Sequence, residues 1–288
     1  MFIDELVKYC NEEYKKRACN HCNKKESCSE ACKGNCKNCL DDIHFHKNVY
    51  RDDYSCEKLL GFYVCRYSYK YCSEIIYALE QVDLYKYPYF NILSLGCGAA
   101  PDLMAFKYMN YPQELRYSGI DSNSCWKKIH TYIENEFDNP NVKFYRNIDV
   151  LTYFNNYKFE GTNILIIQYL ISYFYKNIGP FNLIGWFNSL ANNIVKYKPV
   201  DSPLLIIIND VDSKNTGRDI FPRLIDQIKN LGFQINYEIR KRFKDEAYFK
   251  NSLQYQNNDN KFKIPQFLYD DYCVARYCES VQLIIEVK

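Results

Sequence analysis

Cysteine is the residue type with the most chemistry to offer in the first part of this chain. The 288 residues include 14 cysteines. Six lie in Cys19-x2-Cys22-x5-Cys28-x3-Cys32-x3-Cys36-x2-Cys39, flanked by Cys10 and Cys56. Cys19/Cys22 and Cys36/Cys39 have the Cys-x-x-Cys spacing with which a short turn presents two thiolates to one tetrahedral zinc. Cys28, Cys32 and Cys56, with His44 of His44-Phe-His46, are candidates to complete a second site. Thiolates alone also suit an iron–sulfur cluster, which is the alternative to zinc, and disulfides are the third reading. Few large aliphatic residues lie between these cysteines, so metal binding would supply the folding free energy of the segment.

A second kind of chemistry is written in Asn91-Ile-Leu-Ser-Leu-Gly-Cys-Gly-Ala-Ala-Pro-Asp-Leu-Met-Ala-Phe106. An apolar run stops at Gly96 and Gly98 and becomes a helical pattern. The glycines remove the Cβ atoms that would block backbone approach to a ligand and permit positive φ, so the turn can cradle a nucleotide. Asp121, in Tyr117-Ser-Gly-Ile-Asp-Ser122, falls about 20 residues past that turn, where a carboxylate can accept both hydroxyl hydrogens of a ribose. Its plainer reading is a cap for the helix that starts near Ser124. Further on, Ile208-Asn209-Asp210-Val211-Asp212 puts acids and an amide at the carboxyl end of a strand, where open α/β sheets build sites.

Regular elements must hold these residues in place. From Cys56 to Val82, Leu60, Val64, Tyr67, Tyr71, Ile75 and Leu79 recur at three- and four-residue steps, which predicts one long helix. Pro88 breaks it and leads into a strand. Strands are expected at 91–95, 116–120, 142–145, 163–168 and 204–208, with helices between them, as in a parallel sheet. Two apolar-rich runs, 233–239 and 281–287, lack a crossover helix between them and predict an antiparallel pair at the end of the sheet.

From about Asn91 onward the chain resembles the class I S-adenosylmethionine-dependent methyltransferases. Leu93-Ser-Leu-Gly-Cys-Gly98 matches the first motif of that family at both glycines. It departs at Ser94, where many members carry an acid; Ser94 can hydrogen-bond but brings no charge, and Asp102 is the candidate to compensate. The resemblance implies a doubly wound, mostly parallel α/β sheet of seven strands with an antiparallel C-terminal hairpin. It implies S-adenosylmethionine as cofactor, bound by Ser94, Gly96, Gly98, Asp102, Asp121, Ser122, Ile148, Asp149 and Gln168, with Ile148 covering the adenine and Asp149 accepting from its amine. It makes Gln168-Tyr169 the substrate-facing motif, so Gln168, Tyr169, Asn209 and Asp210 are the catalytic candidates. The third glycine of a dinucleotide fingerprint would fall at Pro101, which with the terminal hairpin favours the methyl donor. No Asn/Asp-Pro-Pro-Tyr/Phe and no Pro-Cys stands at the relevant strand ends, so amino methylation of DNA bases and cysteine-assisted cytosine methylation are unsupported.

The expected division is a cysteine-rich metal-binding module over 1–56, a connecting helix and linker over 57–90, and the donor-binding domain over 91–288. The 37 basic and 35 acidic residues nearly cancel, so no global field draws the chain to nucleic acid or membrane. Met1-Phe-Ile-Asp-Glu puts acids where a signal peptide needs positive charge, and the apolar 163–187 region is broken by Gln168, Lys176 and Gly179-Pro180; a cytoplasmic protein is expected. Arg240-Lys-Arg-Phe-Lys244, Lys250, Lys261 and Lys263 are interleaved with Tyr248, Phe249, Tyr255 and Phe262. Basic groups can hold phosphates while aromatics stack on bases, which makes RNA, through 240–263, the expected acceptor. A protein or small-molecule acceptor, or a non-catalytic module binding S-adenosylmethionine or a nucleotide, is the alternative.

Overall fold

The computed structural model describes residues 2–16, 36–45, 54–153, 160–212, 218–244 and 251–288. Strands β1 (Phe90–Leu95), β2 (Leu115–Asp121), β3 (Val142–Arg146), β4 (Ile164–Gln168) and β5 (Leu204–Val211) pair in parallel. They are followed by β6 (Ile235–Arg242), β7 (Leu253–Gln254) and β8 (Ser280–Val287) in the order β3-β2-β1-β4-β5-β8-β6-β7. The last long strand, β8, inserts antiparallel between β5 and β6, as the missing crossover helix predicts. Among the described residues the sheet has eight strands rather than the expected seven. The extra one is the two-residue β7, which pairs with Lys241 and Arg242 at the edge.

Burial on both faces explains the unbroken apolar runs of the central strands. Ile164 to Ile167 and Leu204 to Ile208 are fully buried. Alternate residues serve opposite faces. On one face Ile92, Ile164, Ile166, Leu205 and Ile207 join a core with α1 (Phe2–Lys16), α3 (Glu57–Leu79) and α4 (Pro101–Met109). On the other, Leu93, Leu95, Leu165, Ile167 and Ile206 pack with α7 (Ile171–Asn193) and α8 (Phe221–Asn230). The remaining helices are α2 (Cys36–Phe45), α5 (Lys127–Phe137), α6 (Val150–Tyr153) and α9 (Gln266–Tyr272).

The predicted long helix is α3. It is buried along most of its length because α1, α2, α4 and the strand ends surround it. It ends at Leu79, well before Pro88. Helix α7 is interrupted at Gly179 (φ 76°, ψ 168°), next to Pro180, which cannot supply the next helical N–H. Among the described residues no helix is long and apolar enough to cross a membrane.

Candidate functional site

The order of the strands reverses between β1 and β4, and the carboxyl ends of the strands at such a reversal are the place where α/β sheets bind ligands. The loop that leaves β1 is held in left-handed conformation at Gly96 (φ 66°) and Gly98 (φ 51°), and again at Ala100 (φ 53°). A Cβ on Gly96 would come within 3.0 Å of Leu170 Cδ1. Asp121, at the end of β2, accepts from Gly98 N–H at 3.0 Å through one oxygen and from Asn123 N–H at 2.9 Å through the other. Burial pushes its carboxyl up to about 6, against the pull of those two amides. On the other side of the loop, His130 Nε2 donates to the Gly98 carbonyl at 2.6 Å. Its ring stacks on Phe144 at 4.1 Å, and burial lowers its pKa to about 4, which keeps it neutral.

Ser94 and Asp102 lie beneath this loop. Asp102 is 1% exposed; it accepts from Tyr117 Oη at 3.1 and 3.3 Å and from the Ser94 hydroxyl. Burial raises its carboxyl to about 6 despite those donors. Ser122 is exposed at the rim. Ile148 N–H donates to Asp121 O at 3.3 Å, and Ile148 is half-buried. The neighbouring Asp149 is exposed and caps α6, accepting from Leu151 N–H at 2.9 Å. The glycine loop, Asp121 and Ile148 are thus brought together, while Ser94 and Asp102 support them from inside.

The opposite wall is built by α3. Gln168 Nε2 donates to the Tyr71 carbonyl at 2.9 Å, and its Oε1 is buried without a hydrogen-bond partner. Tyr169 is left-handed (φ 55°), a conformation that costs a non-glycine residue on the order of 1–2 kcal/mol. Its hydroxyl donates to Glu74 at 2.7 Å, and its backbone N–H donates to Asn209 O at 2.8 Å. Asn209 is fully buried. Its amide donates to Glu74 at 3.0 Å, and its oxygen accepts from Gln282 at 3.1 Å and from the Ser280 hydroxyl. Asp210 is also buried and accepts from Ser172 N–H at 2.9 Å, capping α7; burial raises it to about 6. Gln168 and Tyr169 are therefore half-buried at the carboxyl end of β4, whereas Asn209 and Asp210 hold the interior behind them.

Sequence reasoning missed Glu74 and the aromatic wall. Glu74 is fully buried and also accepts from the backbone N–H groups of Glu279 and Ser280 at 3.0 and 3.3 Å. Tyr63, Tyr67 and Tyr71 recur at four-residue spacing and share a helix face, a signal that was present in the sequence. Tyr67 stacks on Tyr71 at 5.2 Å, and Tyr71 lies 4.2 Å from Tyr169. Tyr63 packs against Tyr54 at 5.5 Å and Trp126 at 6.2 Å. Burial raises the Tyr63 phenol, and the charges of Asp121 and Asp210 add to that. Asn123 Nδ2 donates to Tyr54 O at 3.1 Å, pinning the start of α3 to the β2 loop.

The metal reading changes where it can be followed. Cys19, Cys22, Cys28 and Cys32 lie outside the described residues. Cys36 and Cys39 are buried in the first turn of α2 rather than in a loop knuckle. Of the expected second site only His44 and Cys56 lie among the described residues. His44 sits between the hydroxyls of Tyr54 (2.9 Å) and Tyr67 (3.5 Å), and burial followed by the charge of Arg66 lowers it to about 4. Cys56 caps α3, accepting from Leu59 N–H at 3.5 Å. Among the described residues no group of three or more His, Cys, Asp or Glu is placed to hold a metal ion.

The basic aromatic segment is corrected too. Phe243, Tyr255 and Phe262 are no more than 7% exposed, and the first two stack on each other at 4.5 Å, so none of the three offers a face to a base. Arg240 pairs with Glu238, Lys244 with Glu279 at 3.4 Å and Lys261 with Glu80 at 2.8 Å. Tyr248, Phe249 and Lys250 lie outside the described residues.

No family model and no curated protein matches the chain. Solved structures do. A SAM-dependent methyltransferase from Aquifex aeolicus shares 9% identity over 81% of this chain and 99% of that one, with a TM-score of 0.46. Another from Archaeoglobus fulgidus shares 13% over 75% and 94%, at 0.42. The mitomycin 7-O-methyltransferase MmcR shares 11% over 81% and 56%, at 0.44. Likeness this low leaves the activity to be argued from this chain's own residues.

Proposed function

We propose that the chain is an S-adenosylmethionine-dependent methyltransferase. The observation that carries this is the Gly98–Asp121 hydrogen bond, which ties the loop after β1 to the end of β2 beside the strand-order reversal between β1 and β4. The residues present fit the donor: Gly96 and Gly98 put no Cβ on the left-handed loop it would pass, and each Asp121 oxygen keeps a second lone pair for a ribose hydroxyl. Ile148 would cover the adenine, and the second oxygen of Asp149 would accept from its amine. When bound, the donor supplies a methyl on a sulfonium.

The chain's own work is to orient an acceptor and exclude water. The unpartnered Oε1 of Gln168 can accept from an acceptor hydroxyl or amine, while Tyr63, Tyr71 and Tyr169 desolvate that end. Burial of Phe243, Tyr255 and Phe262 favours a small-molecule acceptor over RNA.

Calorimetry with S-adenosylmethionine tests the donor site, and Asp121→Ala should weaken binding at least about tenfold. No binding by the wild type, or an unchanged affinity in the variant, removes the assignment. Labelled donor offered to fractionated RNA, protein and metabolites then reads the acceptor class; binding without transfer would leave only a binding module.

For the cysteine-rich segment zinc stays our proposal. Cys36 and Cys39 lie three residues apart in the first turn of a helix and so share a face, the spacing that offers two sulfurs to one metal. Elemental analysis of the purified chain should find zinc, and a visible absorption band with iron in its place would convert the site to a cluster.

A further inference from the structure

Two glycines followed by a helix N-terminus are the parts of a phosphate cradle, in which backbone N–H groups and the helix dipole hold an anion. In the loop between β1 and α4 these N–H groups are already engaged. Cys97 N–H donates to Ile120 O at 3.0 Å, Gly98 N–H to Asp121 at 3.0 Å and Ala100 N–H to Cys97 O at 2.7 Å. In the first turn of α4 the Asp102 carboxylate accepts from its own backbone N–H and from that of Leu103. Asp102 is 1% exposed, and its other donors, Tyr117 and Ser94, are neutral. Burial raises the Cys97 thiol, and the charges of Asp121 and Asp102 raise it further, so both carboxylates are felt between the glycines. The opposing charge there is Arg146, in register with Asp121 on β3, and one of its terminal nitrogens is buried without a hydrogen-bond partner.

We infer that this loop admits adenosine derivatives without a phosphate and turns phosphorylated nucleotides away, and that Asp102 is the residue responsible. The inference rests on the donor reading above, because adenine nucleotides share the donor's adenosine and a site that read adenosine alone would take them too. Asp102 acts in two ways. Its carboxylate occupies the first-turn amides of α4 on which a phosphate would sit. Its buried charge also repels that phosphate through surroundings that screen little. Two like charges about 10 Å apart, at an effective dielectric of about 20, change an affinity by roughly a factor of ten.

Calorimetry on the full chain compares adenosine, ADP and S-adenosylmethionine. The wild type should bind ADP no more tightly than adenosine. In Asp102→Asn, which keeps the shape and removes the charge, ADP should gain about tenfold relative to adenosine. A purely structural role would weaken both ligands together, so an unchanged ratio overturns the inference. A wild type that prefers ADP to adenosine overturns it too, the outcome expected if Arg146 holds a phosphate, and that comparison stands even if the variant fails to fold. S-adenosylmethionine on the same samples separates the two readings. No binding of it by the wild type sinks the donor site and this inference with it, whereas donor binding with either overturning nucleotide result sinks this inference alone.

Discussion

The glycine loop after β1 and the α3 side of the strand ends are made in different ways. The glycine-loop wall is mostly backbone: Gly96, Gly98 and Ala100 set the path of one loop, and Asp121 and His130 clamp Gly98 by its N–H and its carbonyl. The wall across from it is made of side chains from four separate places, with Glu74 of α3 gathering Tyr169, Asn209 and the amides of Glu279 and Ser280. A backbone cradle needs only the right local conformations. A side-chain hub needs the whole fold, and a single substitution can dismantle it.

The largest expected effect follows from that difference. Glu74→Ala leaves a tyrosine hydroxyl, a buried amide and two backbone N–H groups without their acceptor. Removing one partner from a buried, charged arrangement costs about 3–5 kcal/mol, and chemical denaturation should show a loss of that size. Tyr169→Phe removes only one of the four donors and should cost about 1 kcal/mol. If Glu74→Ala proved no more costly than Tyr169→Phe, Glu74 would not be the hub and the contrast between the walls would fail.

The same difference explains what the sequence disclosed. The glycine turn and its tie to Asp121 were legible because their parts are close in the chain: two glycines one residue apart, and an acid at the next strand end. The sheet was legible for a related reason, since β4 and β5 are apolar runs of strand length and the gap before β8 lacks a helical period. Glu74 gave no such sign. It sits in a helix whose other residues read as core, and its partners Tyr169, Asn209 and Ser280 lie 95 to 206 positions away. Phe243, Tyr255 and Phe262 misled for the opposite reason. Their spacing among lysines and arginines looked like a stacking surface, yet Phe243 and Tyr255 close against Tyr77 of α3, a contact no local pattern reveals. The eighth strand was missed because two residues carry no period at all.

The smaller effect tests the glycine-loop wall, and the donor proposed for it, through pH. Burial holds Asp121 at about 6, above its ordinary 3.8. Between those values the unfolded chain releases the proton while the folded chain keeps it, so the contribution of this group to stability falls as pH rises from about 4 to 6 and then levels off. His44 and His130, lowered to about 4 by burial, work in the opposite direction and cancel when wild type is compared with Asp121→Asn. The stability of Asp121→Asn relative to wild type should therefore rise over that window, by on the order of 1 kcal/mol. Donor affinity of the wild type should rise over the same window while the stability contribution of Asp121 falls, because only the ionised carboxylate accepts from both ribose hydroxyls, and it should be flat in Asp121→Asn. Denaturation and calorimetry at pH 4.5, 5.5 and 6.5 read both quantities on the same proteins. Opposed slopes would place the ionised Asp121 on the donor, whereas a stability slope without an affinity slope would leave it a clamp for Gly98 alone.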